Sequence, residues 1–167
     1  FEMSVRAVLG QQITVKAAST LAARLVAVYG TQVQTGIEGL THSFPAPAAI
    51  LALGENISEH LGKLGIISAR ANTIYQLARV LADEKNDFGF CGNPEEEMQK
   101  LQAIRGIGSW TAQYIAMRAM GWPDAFLPTD AGIKKALPDH TPKELQVLSE
   151  AWRPWRSYAT VNLWNTL

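Results

Sequence analysis

The clearest chemical signature in the sequence is a pair of glycines. In Leu101-Gln102-Ala103-Ile104-Arg105-Gly106-Ile107-Gly108-Ser109-Trp110-Thr111-Ala112 they bracket one apolar residue. The pattern predicts one helix running into Gly106 and a second starting at Ser109 or Trp110 and continuing past Ala116 and Arg118. Glycine permits a tight turn with positive φ and leaves backbone amides uncovered. The second helix then presents free N–H groups and the positive end of its dipole, which suits a phosphate. Ile107 can tuck between the two helices as an anchor. The same string also fits a plain corner between two helices, with glycine needed only for closeness.

Asp130 is the second chemical candidate. It precedes Ala131-Gly132-Ile133-Lys134-Lys135, a helical start, and aspartate is a preferred N-cap. Capping is the reading its local sequence supports. Around it, charge and aromatic residues are unevenly distributed. Residues 1–99 hold 7 basic and 10 acidic side chains; residues 100–167 hold 8 basic and 5 acidic, and all five Trp lie in that second part. Basic and aromatic residues together are what stacking on bases and contacts to phosphates use. A Trp-rich core beside a solvated face has the same composition.

The totals limit what this chemistry can serve. With 15 basic and 15 acidic residues in 167, formal net charge is zero. That excludes a histone-like or tail-type nucleic-acid binder. It leaves open a protein that contacts few phosphates, whose binding would have a shallow salt dependence. The hydrophobic fraction of 47% argues against disorder. One cysteine, Cys91, excludes an internal disulfide framework and any Cys-rich zinc or iron–sulfur site. His42, His60 and His140 stand far apart, so no metal is expected. No apolar run approaches the roughly 20 residues of a membrane span. The start at Phe1 resembles neither a signal peptide nor a natural N-terminus, and a fragment of a longer cytoplasmic protein is expected.

The elements that must position these residues read as helices almost throughout. Val5, Val8 and Leu9 sit at helical spacing; after Gly10-Gln11-Gln12 the period resumes through Val15, Ala18, Leu21, Ala22, Leu25 and Val28, and Gly30 is a stop. Residues 31–45 read as a loop. Short helices are predicted over 46–53 and 57–63, a longer one over 68–84, and a turn-rich connection over 86–92. Asn93-Pro94-Glu95-Glu96 marks a helix start, and Thr141-Pro142-Lys143-Glu144 reads as a capping box. Pro154 is predicted to open a last helix containing Tyr158, Val161 and Trp164. No stretch alternates as a strand does, so the fold class is all-α, with nine or ten short helices.

The hairpin string resembles the helix-hairpin-helix motif of the DNA glycosylase superfamily of that name. The resemblance extends along the chain. Ser4-Val5-Arg6-Ala7-Val8-Leu9-Gly10-Gln11-Gln12-Ile13, Phe126-Leu127-Pro128-Thr129-Asp130 and Trp152-Arg153-Pro154-Trp155-Arg156-Ser157-Tyr158-Ala159 are similar to the AlkA-type DNA-3-methyladenine glycosylases. It implies a two-lobed helical fold with the active site in the cleft between lobes, residues 1–30 and 131–167 forming one lobe and 31–130 the other. A β-rich N-terminal domain carried by whole family enzymes is missing from these residues. Some relatives are fused instead to a methyl-transferring regulator.

The resemblance also implies roles. Asp130 matches the catalytic aspartate, an anion that stabilises the oxocarbenium-like transition state as the N-glycosidic bond of an alkylated purine breaks. Trp110, Tyr114 and Trp164 match the aromatic pocket for the flipped base. Helix packing would explain these three as well, Trp110 and Tyr114 being one turn apart. Trp110 stands where bifunctional relatives carry a Schiff-base lysine, which implies a monofunctional enzyme that leaves an abasic site. Gly106, Gly108, Ser109 and Thr111, with Arg105, match the phosphate-binding hairpin, and Gln12 matches the residue that fills the gap left in the stack. Two departures bear on the substrate range: Ala131 replaces an aromatic, and Gln12 stands where an apolar wedge would suit unstacking better. No cofactor is implied, apart from a monovalent cation that related turns bind through carbonyls such as those of Ile104 and Ile107. The implied partner is double-stranded DNA carrying alkylated bases, met by a monomer and with no membrane. A non-catalytic DNA-binding module that kept the hairpin, and a helical module for protein partners, are the other readings.

Overall fold

The computed structural model describes residues 1–83 and 93–167. The connection predicted over 86–92, Cys91 within it, and Glu84 lie outside the described residues. Two compact units are present. One holds residues 1–83 together with Ile104–Gly106, the other residues 93–103 together with Ile107–Leu167.

In the first unit, α1 (Glu2–Leu9), α2 (Val15–Tyr29), α3 (Pro47–Leu51), α4 (Ile57–Gly62) and α5 (Ser68–Leu81) follow the predicted periods closely. Helix α5 is the centre of this unit and packs against α1, α3 and α4. Its Ile74 and Leu77 are fully buried, as are Val5, Val8 and Leu9 of α1 and Leu61 of α4. Thr14 caps α2 by accepting from Ala17 N. The predicted loop over 31–45 contains a minimal ladder: β1 (Thr31–Gln32) pairs antiparallel with β2 (His42–Ser43). Two-residue strands are too short to show alternation in sequence. Residues 1–30 are grouped by this packing with α3, α4 and α5. Helix α1 lies on both α2 and α5.

The second unit contains α6 (Pro94–Gln102), α7 (Ser109–Arg118), α8 (Ala131–Ala136), α9 (Pro142–Ser149) and α10 (Arg156–Trp164). Asn93 caps α6 by accepting from Glu95 N. Helix α6 packs on α7, and α8 on α10. Phe126, Ile133 and Leu145 form a buried cluster, with Leu137, Trp152, Leu163 and Trp164 packed around it. Helix α10 starts at Arg156 rather than Pro154, since Trp155 has a non-helical backbone and its N–H goes to the Trp152 carbonyl.

The capping box at α9 is complete. Glu144 N donates to Thr141 Oγ1 and Thr141 N donates to Glu144 Oε2 at 2.7 Å. The backbone hydrogen bond from Thr141 holds the Glu144 carboxyl below its ordinary range. A depressed folded-state pKa contributes stability that is full above the unfolded value and is lost as pH falls through the folded one. The melting-temperature gap between wild type and Glu144→Gln should therefore be present at neutral pH and close on acidification below the usual carboxylate range. A gap independent of pH would show that the box carries no charge-dependent stability.

Candidate active site

Asp130 makes the cap that its local sequence suggested. It is the N-cap of α8, with Oδ1 accepting from Gly132 N at 2.9 Å and Ile133 N at 3.1 Å. Two indoles also donate to it. Trp164 Nε1 donates to Oδ1 at 2.8 Å and Trp110 Nε1 donates to Oδ2 at 3.0 Å. The carboxylate is buried, about 9% exposed, yet all four of its donors are neutral and no lysine ammonium is among them. Hydrogen bonds to an ionised acceptor are the strong ones, which fits a burial that would otherwise be costly.

The three aromatic residues implied for the pocket come together around this carboxylate. Trp110 and Tyr114, one turn apart on α7, stack with ring centroids 5.2 Å apart, and Tyr114 meets Trp164 of α10 at 6.3 Å. All three are half-buried. On the side of α8, Ala131 is exposed and Gly132 follows, so no side chain larger than a methyl stands beside the cap. Gly132 has no predicted role in the sequence reading. A Cβ built on it would lie 2.7 Å from Trp164 Cδ1 and 2.8 Å from Trp164 Nε1. Thirty-four residues separate Trp164 from its acceptor, so nothing in the local sequence announces that contact.

A second group that sequence reasoning left without a role holds the segment leading to Asp130. Arg156 Nε and Nη2 donate to Asp124 Oδ1 and Oδ2 at 2.7 and 2.9 Å, and Nη2 also to the Asp124 carbonyl. Arg153 reaches the same carboxylate. Ser157 Oγ donates to the Trp122 carbonyl at 2.7 Å, and Ala125 N donates to Ser157 Oγ at 3.1 Å. Phe126 N donates to Gln113 Oε1 of α7. The signal available in sequence was Arg156 itself. A cation in the first turn of a helix opposes the dipole and asks for a carboxylate elsewhere.

The hairpin glycines differ in what demands them. Gly106 has φ of +95°, and a Cβ on it would fall 2.0 Å from Thr73 Oγ1 of α5. Thr73 Oγ1 bonds the Arg105 carbonyl at 3.0 Å, and Gln11 Nε2 donates to the Gly106 carbonyl at 2.9 Å. Gly106→Ala should thus cost at least about 1–2 kcal/mol for the backbone alone, and more for the clash. Adding Thr73→Ala should recover the clash but not the backbone part, as read by urea midpoints. Equal losses in both backgrounds would exclude the contact. Gly108 is different: it is the N-cap of α7 in extended backbone, makes no side-chain cap, and a Cβ there would meet nothing within 4 Å. Ile107 is buried as an anchor should be.

Of the remaining hairpin residues, Arg105 and Ser109 are exposed and Thr111 is buried at 3%, so any phosphate contact at Thr111 falls to its backbone. Gln12 is exposed and has φ of +56°, a rare conformation for this residue type and worth about 1–3 kcal/mol of strain. Its neighbour keeps the turn in place: the Gln11 carbonyl accepts from Arg70 Nη2. Among the described residues no three His, Cys, Asp or Glu side chains stand close enough to hold a metal, and no helix is long and apolar enough to cross a membrane.

A family model described as HhH-GPD superfamily base excision DNA repair protein matches residues 5–156. The chain is 43% identical over 171 residues to the probable bifunctional transcriptional activator/DNA repair enzyme AlkA of Mycobacterium tuberculosis, covering 99% of this chain and 33% of that protein. It is 37% identical over 166 residues to DNA-3-methyladenine glycosylase 2 of Escherichia coli, covering 99% of this chain and 57% of that one. The 3-methyladenine DNA-glycosylase of Archaeoglobus fulgidus superposes with a TM-score of 0.83 at 25% identity, covering 98% of this chain and 56% of its own. The chain therefore spans a third to just over half the length of these curated relatives.

Proposed function

Because the chain belongs to the HhH-GPD superfamily of base excision DNA repair proteins, we propose that it is a monofunctional DNA glycosylase that releases alkylated purines such as 3-methyladenine from duplex DNA. The observation that carries this reading is the buried carboxylate of Asp130, flanked by two indole N–H donors and the aromatic trio Trp110, Tyr114 and Trp164.

A base must leave the stack to be reached, and an aromatic surface can receive it. N3- or N7-alkylation makes the purine cationic and a good leaving group. Cation–π attraction to an indole face adds roughly 0.5–2 kcal/mol, a modest preference, so the weakened glycosidic bond supplies much of the discrimination. As that bond lengthens, positive charge grows on the sugar. Asp130 is the anion that meets it, and no general acid is needed to assist a leaving group of this kind. Water completes the hydrolysis and leaves an abasic site. Trp110 supports the monofunctional assignment, since it offers a hydrogen-bond donor where a nucleophilic lysine would attack C1′.

Binding to the duplex is assigned to the α7 N-terminus. The extended, uncapped Gly108, with open space where a side chain would stand, suits close approach of a phosphate to backbone amides. Exposed Arg105 and Ser109 flank it, and Gln12 on its strained turn is assigned to the gap in the stack. If a monovalent cation binds at the turn as the resemblance implies, the carbonyls of Ile104 and Ile107 or their neighbours would hold it.

The test is base release from methylated duplex DNA, followed by borohydride treatment. Free 3-methyladenine with no trapped protein–DNA adduct is the expected result. An adduct would overturn the monofunctional assignment. DNA binding without release would favour the non-catalytic module.

A further inference from the structure

Gly132 occupies the second position of α8 with nothing in its backbone that asks for glycine: its φ is not positive. Alanine would ordinarily stabilise such a position. What glycine provides is space. The Trp164 indole lies where any β-carbon would be, close enough for its N–H to reach Asp130 Oδ1.

That hydrogen bond changes how the carboxylate is used. Oδ1 takes three donors, from Gly132 N, Ile133 N and Trp164 Nε1, and Oδ2 takes one, from Trp110. A carboxylate oxygen has two lone-pair sites. Oδ1 is saturated by the protein, and Oδ2 keeps room for one further partner. The α8 cap alone supplies two donors to Oδ1, and we propose that Gly132 is a positioning residue: by admitting the Trp164 indole as a third donor on Oδ1, it fixes the orientation of the carboxylate so that Oδ2, with one donor, is the oxygen offered to the sugar. The assignment of Oδ2 rests on the glycosylase reading above; the contact itself does not.

Two measurements test it separately. The first is the set of five indole Nε1–Hε1 resonances in a ¹H–¹⁵N spectrum of the whole chain, assigned with single Trp variants. Gly132→Ala should move the Trp164 resonance toward that of exposed Trp155 and leave Trp110 nearly in place. An unmoved Trp164 resonance would overturn the proposal, whatever the activity. The second is single-turnover base release. Gly132→Ala should slow it by about ten- to a hundredfold, the scale of one lost charge-assisted hydrogen bond. In the Trp164→Ala background the same substitution should change the rate by less than about twofold and raise the melting temperature, because only helix propensity is then left to act. A full loss in that background would show that Gly132 does not act through Trp164. If the wild type released no base, the glycosylase reading and with it the Oδ2 role would fall, while the spectrum would still decide the contact.

Discussion

Asp130→Asn should lower base release by at least about 10²–10³-fold while leaving the protein folded. Removing one preorganised electrostatic partner of a developing charge typically costs that much. The substitution is nearly isosteric and asparagine caps as well as aspartate does. Its amide oxygen can keep the three donors now on Oδ1, from α8 and Trp164. The amide nitrogen then confronts Trp110 Nε1–H, donor against donor, where Oδ2 now accepts. That mismatch costs about 1–3 kcal/mol. Asp130→Ala should be equally inactive but less stable, since it also removes the cap, worth about 0.5–2 kcal/mol, and strands both indoles. Activity should follow the charge and stability should follow the acceptors. Wild-type release by Asp130→Asn would remove the central residue from the mechanism.

Asp130 also shows why the sequence could be read only so far. A cap and an electrostatic catalyst leave the same local trace, an aspartate before a helix: the cap is present, and the catalytic role is proposed for the same carboxylate. The resemblance, not the spacing, favoured chemistry. The helices themselves were legible because their punctuation is local: Asn93 and Thr141 cap where their sequence says they should. The Trp residues were not, because composition cannot separate a core indole from a functional one. Trp152 packs edge-on to Phe126 in the core, Trp155 is exposed, and Trp110 and Trp164 hold the carboxylate. Gly132 was invisible for a related reason. Its value lies in a ring thirty-four residues from Asp130 that only the tertiary fold brings over it.

The two hairpin glycines give a similar lesson. Both looked alike in the string Gly106-Ile107-Gly108, yet the fold of the chain accounts for one of them alone. Gly106 is required by a positive φ and by Thr73; Gly108 is required by nothing within the described residues. A glycine without an internal reason, at an uncapped helix start, is where an external partner is expected to come close. The proposed binding to DNA is then compatible with a net charge of zero, since backbone amides contact phosphate without adding formal charge.

Arg156→Ala should destabilise the protein by about 3–5 kcal/mol. Arg156 is about 5% exposed and its guanidinium makes three hydrogen bonds to Asp124, itself about 7% exposed. Removing one partner of a buried pair strands the other charge, which is what sets that magnitude. Arg153 cannot replace it. It touches the same carboxylate from a half-exposed position and shares itself with Glu150, whose carboxyl it holds below the ordinary range. Arg153→Ala should accordingly cost only about 0–1 kcal/mol. Replacing Arg156 and Asp124 together by apolar residues of similar volume should restore most of the stability lost in Arg156→Ala, because no charge is then left unpaired. It should not restore the rate of base release. The pair fixes the chain at Asp124, six residues before Asp130, and Ser157 of α10 fixes Trp122 and Ala125 beside it. Without those directional bonds the segment keeps its burial but loses its register, and the carboxylate between the two indoles is placed less exactly. Denaturant midpoints and single-turnover rates on the three variants separate the two effects. Full activity in the apolar pair would confine the clamp to stability alone.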